Sequence, residues 1–354
     1  MSRSPLLITV EQSVGRIVLN RPQALNAINR EMVLEISKTL DQWSQDSAVQ
    51  CVVLQGAGDK AFSAGGDLRQ LYYAHYEGHQ EEVLRLFRYE YQLNDKIHRF
   101  PKPYITFFHG FGMGGGLGLS LHGSYRIVCE GTQLAMPEVN IGFFPDVGAS
   151  YFLNQCPGSL GMYLALTGNR VSAADAIYTG LATHYINQKD YDAIYRDLTN
   201  QKIISKASVE TILKNYNCSI PPSALQNQQL DIDHLFGQDT LENIIAALHQ
   251  ESMTSIFART CLEILQTKSP TSLKVTFAMM QKARDKPLYE TLQMDFLLAQ
   301  KFCLGSDFFE GIRAVIIDKD NQPDWQPKRL EDISEYVIEE YFNADSYLNL
   351  FNKA

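Results

Sequence analysis

Two acids, Glu138 and Asp146, stand in the otherwise largely apolar run MPEVNIGFFPDVG, Met136 to Gly148. A carboxylate taken out of water is costly, so such acids are paired, protonated or used. Two carboxyls sharing one apolar loop push their pKa values apart, leaving one ionised and one partly protonated. That is the equipment for general acid and base work, or for nucleophilic attack, at a carbonyl. A second kind of equipment lies upstream, where HGFGMGGGLGLSLHG and AFSAGGDL each follow a strand-like run. Glycines at a helix start present N–H groups with no side chain in the way, which suits an oxyanion.

The first cluster also spells GxGxxG through Gly110, Gly112 and Gly115, with Glu130 downstream, the pattern of a dinucleotide site. Against it, the stretch from Gly116 to Gly123 has room for only two helical turns, too little to cover a parallel sheet. Tight turns demanding positive φ are the simpler use of either cluster alone.

The elements that must position these groups follow from periodicity. Residues 6–20 read as two short strands with a break near Ser13 to Gly15. From Asn29 to Trp43 apolar residues recur at helical spacing, and CVVLQG is a buried parallel strand, which completes a ββαβ unit. A helix from about Glu81 to His98, the strand PYITFFHG, the glycine cluster and the strand YRIVCE repeat the alternation. An α/β layer structure is expected over residues 1–201. Residues 202–354, with LENIIAALHQ and YETLQMDFLLAQKF, read as a mainly helical second domain joined through the polar PPSALQNQQL.

Composition limits the chemistry. A chain of 354 residues with 45% hydrophobic and 20% charged side chains builds packed cores. A net charge of -9 argues against nucleic acid as the main partner. The start, MSRSPLLITV, lacks a secretory h-region, and no uninterrupted apolar run is long enough to span a bilayer, so no membrane partner and a cytoplasmic location are expected. The six cysteines are scattered without CxxC, and the eight histidines form no HExxH, so no metal is expected.

Taken in order, LNRPQALNAI, AFSAGGDL, the MGGG cluster and MPE with its glycine-and-proline loop resemble the crotonase (enoyl-CoA hydratase/isomerase) superfamily. The resemblance implies a crotonase-like spiral of ββα units, a helical C-terminal region, and an acyl-CoA thioester as substrate, with coenzyme A arriving on the substrate and no separate cofactor. It implies an oxyanion hole of two N–H groups, by position Gly66 and Gly115. Lys60, Ala64, Asp67 and Arg69 match CoA-binding positions. Such enzymes often form trimers through their C-terminal helices, so a homo-oligomer is expected, unless the long tail folds back over its own core.

Within the superfamily, hydratases carry a glutamate two residues after GGG, and here that position is Gly118. The two-acid hydration machinery is thereby incomplete, while Asp146 appears where hydratases have glycine. This pattern is similar to the 3-hydroxyisobutyryl-CoA hydrolases of valine catabolism, as are FRYEYQLN, which matches a substrate-contacting glutamate to Glu90, and the tail FFEGIRAVIIDKDNQPDWQP. The implied activity is thioester hydrolysis, with Glu138 and Asp146 catalytic and Glu90, Gly115, Glu138 and Asp146 touching substrate. Glu138 either attacks to form an anhydride or activates water, and Asp146 orients water or the substrate hydroxyl. The alternatives are hydration or isomerisation by Glu138 alone, and an inactive CoA-binding protein.

Overall fold

The structure is a computed structural model and describes residues 4–344 and 349–351. The chain packs into two compact units. One takes residues up to 66, 92–134 and 171–226; the other takes 67–91, 135–170 and 227 onward.

The first unit holds two sheets. The larger has the order β1-β2-β3-β5-β7-β10, with β1 Leu6–Glu11, β2 Val14–Leu19, β3 Cys51–Gly56, β5 Tyr104–Phe107, β7 Tyr125–Val128 and β10 His184–Tyr185. Only the hairpin β1–β2 is antiparallel; β2–β3, β3–β5, β5–β7 and β7–β10 all run parallel. The parallel strands are apolar on both faces because both are covered, as parallel sheets require. Val53, Ile105 and Ile127 pack with Ile194, Leu198 and Ile212.

After β3, β5 and β7 the chain steps into a smaller sheet of β4 Ala61–Ser63, β6 Phe111–Met113, β8 Gln133–Ala135 and, later in the chain, β9 Val171–Ser172. The steps β3 to β4, β5 to β6 and β7 to β8 are the repeated ββ halves of the expected spiral. Helix α1, Arg30–Gln45, starts where Asn29 caps it by accepting the Met32 N–H at 3.0 Å. Its Met32, Val33, Ile36, Leu40 and Trp43 are buried, as the spacing predicts. Helices α2, Leu68–Tyr76, and α3, Gln80–His98, follow β4.

The second unit is mainly helical, and its longest C-terminal helix is Leu288–Phe302. The division between the units is not a single cut after residue 201. The helix Lys206–Tyr216 buries Val209, Ile212 and Leu213 in the sheet core of the first unit, whereas 67–91 and 135–170 group with the C-terminal helices. A linear reading cannot see this interleaving, because periodicity reports what an element is and not which core receives its apolar face.

Candidate active site

The glycine loops belong to the first unit. The segment after β4 forms a bridge with Ile28, whose N–H donates to Gly65 O at 2.8 Å, and Gly65 takes φ +92°. A Cβ on Gly65 would meet Gly115 N at 3.4 Å, so the two loops lie against each other. Gly115 opens the short helix α4, Gly115–Gly118, and is preceded by Gly114 at φ +49°. Among the described residues neither the Gly66 nor the Gly115 N–H has a hydrogen-bond acceptor.

Packing explains Gly110 and Gly116 but not Gly66. A Cβ on Gly110 would come within 2.1 Å of Lys60 O, and one on Gly116 within 2.7 Å of Ser63 Cβ, whereas one on Gly66 would meet nothing within 4 Å. The GxGxxG is therefore answered by a close β4–β6 approach and a helix of four residues, not by a dinucleotide crossover.

The acids belong to the second unit, and there the structure adds two residues that the sequence reading gave no role, Tyr91, inside FRYEYQLN, and Asp295. On α3, Phe87, Glu90 and Tyr91 share the buried face. Glu138 begins a single 3-10 turn, Glu138–Ile141, and Asp146 follows in the same loop. The Tyr91 hydroxyl donates to Asp146 Oδ2 at 2.7 Å. Two residues on, the Gly148 N–H donates to Asp295 Oδ2 at 2.7 Å, with Asp295 buried in the helix Leu288–Phe302. Between them Val147 holds φ +52°, a left-handed conformation that a β-branched residue adopts at a cost on the order of 1–3 kcal/mol.

The electrostatics follow from burial. Asp146 is pushed up to about 7 by loss of water, partly offset by the Tyr91 hydrogen bond and its own backbone N–H. Glu90 rises to about 8, by burial first and then by repulsion from Asp146. Glu138 lies well above the ordinary carboxyl range, through burial, Asp146 and Glu90; the residue keeps some exposure, but its Oε2 is buried. Asp295 is raised by burial and Asp146 despite the bond from Gly148. Phe143 stacks on Phe308 at 4.2 Å and packs on Phe87 at 5.5 Å, part of the apolar wall of the loop that carries the acids. Glu90 Oε1, Glu138 Oε2 and Asp295 Oδ1 have no hydrogen-bond partner among the described residues. Burial raises both loop carboxyls, and their mutual repulsion makes the two protons of the pair come off in separate steps. Among the described residues no group of three or more His, Cys, Asp or Glu is arranged to hold a metal ion.

Of the CoA-binding candidates, Lys60 and Ala64 fall in the first unit, where Lys60 is exposed and the Ala64 N–H donates to Leu25 O at 2.9 Å. Asp67 and Arg69 fall in the second. Asp67 caps α2 by accepting the Gln70 N–H at 3.4 Å, and the Arg69 guanidinium donates to Ile316 O at 2.7 Å. No helix among the described residues is long and apolar enough to cross a membrane.

A family model described as enoyl-CoA hydratase/isomerase matches residues 14–342, and the chain belongs to that family. A more particular likeness is to "3-hydroxyisobutyryl-CoA hydrolase, mitochondrial" of Danio rerio, 40% identical over 346 residues, covering 96% of this chain and 90% of the relative. Two solved structures superpose over nearly the whole chain. A carnitinyl-CoA dehydratase from Mycobacterium thermoresistibile has a TM-score of 0.91 at 36% identity, covering 99% of this chain and all of its own. An enoyl-CoA hydratase from Rhodobacter sphaeroides 2.4.1 has a TM-score of 0.89 at 35% identity, covering 96% of this chain and 97% of that one. The fold is therefore the crotonase fold expected from the ordered motifs.

Proposed function

We propose that this chain hydrolyses 3-hydroxyisobutyryl-CoA to 3-hydroxyisobutyrate and CoA, a step of valine catabolism. The observation that carries the reading is the pair of buried carboxyls on one apolar loop, both raised above the ordinary carboxyl range by burial, with the Tyr91 hydroxyl donating to Asp146 at 2.7 Å and so favouring its ionised form. Asp146 takes a proton from water as the water oxygen bonds to the carbonyl carbon. The Gly66 and Gly115 N–H groups meet the charge that develops on the carbonyl oxygen. The C–S bond then breaks, and Glu138 gives its proton to the departing sulfur. A proton passed from Asp146 back to Glu138 restores both groups. This moves the base from Glu138, where the sequence reading put it, to Asp146, whose ionised form the Tyr91 hydroxyl stabilises.

Glu90 contributes a neutral carboxyl that can donate to or accept from the substrate hydroxyl. Lys60, Ala64, Asp67 and Arg69 hold the CoA portion, and no cofactor beyond the substrate's own CoA takes part. The assembly is a homo-oligomer, to be read by gel filtration with light scattering. The proposed compartment is cytoplasmic, although the relative above is named mitochondrial; fractionation of cells expressing the tagged full chain decides between them. The function itself is tested by free-thiol release from 3-hydroxyisobutyryl-CoA and from isobutyryl-CoA. Hydrolysis of the hydroxylated thioester, and much slower hydrolysis of the other, supports the reading; release from neither overturns it.

The likeness to solved proteins titled hydratase and dehydratase keeps a second reading, hydration through Glu138 alone. Gly118 leaves that chemistry without its second acid, which is why hydrolysis is favoured.

A further inference from the structure

Asp295 belongs to none of the motifs that carry the family resemblance, yet its carboxylate ends beside the loop of Asp146. It is fully buried at a core position of the helix Leu288–Phe302, and its Oδ2 accepts the Gly148 N–H at 2.7 Å. On the other side of Val147, Tyr91 donates to Asp146 Oδ2 at the same distance. The residue between these two bonds is β-branched and left-handed, at φ +52°. Left to itself such a residue relaxes to negative φ, and it persists only where its surroundings over-determine it. A relaxed Val147 would swing the Asp146 carboxylate away from its present direction. A helix core does not need an acid for packing, and Asp295 Oδ1 has no hydrogen-bond partner among the described residues. The cost of burying the acid is thus incurred for the single bond to Gly148.

We propose that Asp295 is a positioning residue for the thioester hydrolysis: with Tyr91 it clamps the Asp146–Gly148 segment across strained Val147 and so fixes the aim of the Asp146 carboxylate. The proposal rests on the reading of Asp146 as the base.

The test compares Asp295→Asn, which keeps a carbonyl oxygen for Gly148, with Asp295→Leu, which keeps the branched shape, with bulkier methyl ends, and has no acceptor. Asp295→Ala takes the place of the Leu variant if that one does not fold. Thiol release from 3-hydroxyisobutyryl-CoA is measured on protein whose melting curve shows it folded. A misplacement near 1 Å costs on the order of 10²-fold in rate, so kcat should fall at least tenfold in the Leu or Ala variant, with KM within about threefold, and Asn should restore most of it. The loss should also shrink in a Val147→Gly background, where the left-handed conformation costs little and the clamp has less to hold. A folded Leu or Ala variant with kcat near the parent's overturns the proposal, as does a loss that neither Asn nor Val147→Gly relieves. Asp146→Asn is run beside them. If it hydrolyses normally the underlying reading fails, whereas an inactive Asp146→Asn with a fully active Asp295→Leu sinks the clamp alone.

Discussion

Replacing Tyr91 with Phe removes one hydroxyl and almost no volume, and its effect can be worked out in advance. The hydroxyl donates to Asp146 Oδ2 at 2.7 Å and is the largest influence holding Asp146 down against burial, which leaves the group at about 7. A hydrogen bond to a charged acceptor contributes about 1.5–3 kcal/mol. One pKa unit corresponds to about 1.4 kcal/mol, so losing the bond raises Asp146 by about one to two units. If Asp146 must be ionised to take a proton from water, the acid limb of kcat/KM for thiol release moves from near pH 7 to roughly pH 8–9. At pH 7 the ionised fraction falls from about a half to between a tenth and a hundredth, so the rate falls about five- to fiftyfold and recovers as pH is raised. The assay is chromogenic detection of thiol from 3-hydroxyisobutyryl-CoA between about pH 5.5 and 9.5, in a mixed buffer of constant ionic strength. A limb that stays in place, or moves to lower pH, refutes the assignment of Asp146 as the base.

Three further outcomes follow from the same geometry. Glu90 titrates at about 8 folded and near 4.3 unfolded, so the folded chain keeps a proton that the unfolded chain loses between those values. Its contribution to stability is full below about pH 4 and is lost as pH rises toward 8; Glu90→Gln should therefore raise Tm over the parent at pH 8 more than at pH 4.5, and equal differences at both would contradict the shift. Gly66→Ala should melt within a few degrees of the parent yet lose at least tenfold in kcat/KM, whereas Gly110→Ala, whose Cβ would strike Lys60 O, should lose stability first; thermal melts beside the thiol assay separate the two. Single-turnover hydrolysis in H2 18O should place the label in 3-hydroxyisobutyrate and leave the Glu138 peptide unlabelled by mass spectrometry, since water rather than Glu138 attacks in the proposed step; label in that peptide would restore the anhydride route.

Much of the fold was legible because local signals agreed. The two-residue period of the opening hairpin, the apolar run CVVLQG and the helical spacing over Met32 to Trp43 each formed the expected element, and α3 begins one residue from its predicted start. The two units were not legible, because the segments that join the C-terminal helices are distant in sequence from them. For the acids, MPEVNIGFFPDVG drew attention to Glu138 and Asp146 through apolar context alone. Charged neighbours make Glu90 read as a solvated helix acid, yet it lies three residues after Phe87 and seven after Val83, on the stripe that is buried. Asp295 carried the same overlooked mark, three residues after Leu292 and four after Thr291 in a helix whose core face, Gln300 aside, is otherwise apolar or small. An acid on an apolar helical stripe is the signal that would have found both. No local pattern announces Tyr91 as the partner of Asp146, since their bond joins α3 to a loop far downstream.

The most direct test of the account follows thiol release from 3-hydroxyisobutyryl-CoA and hydration of crotonyl-CoA in the same preparations of parent, Glu138→Gln and Asp146→Asn. A positioned acid or base contributes about 10²–10⁴ in rate, so each variant should lose at least a hundredfold in thiol release while the parent hydrates crotonyl-CoA poorly. Efficient crotonyl-CoA hydration that survives Asp146→Asn, with little thiol released by the parent, would contradict the hydrolase account and leave Asp146 as a turn residue.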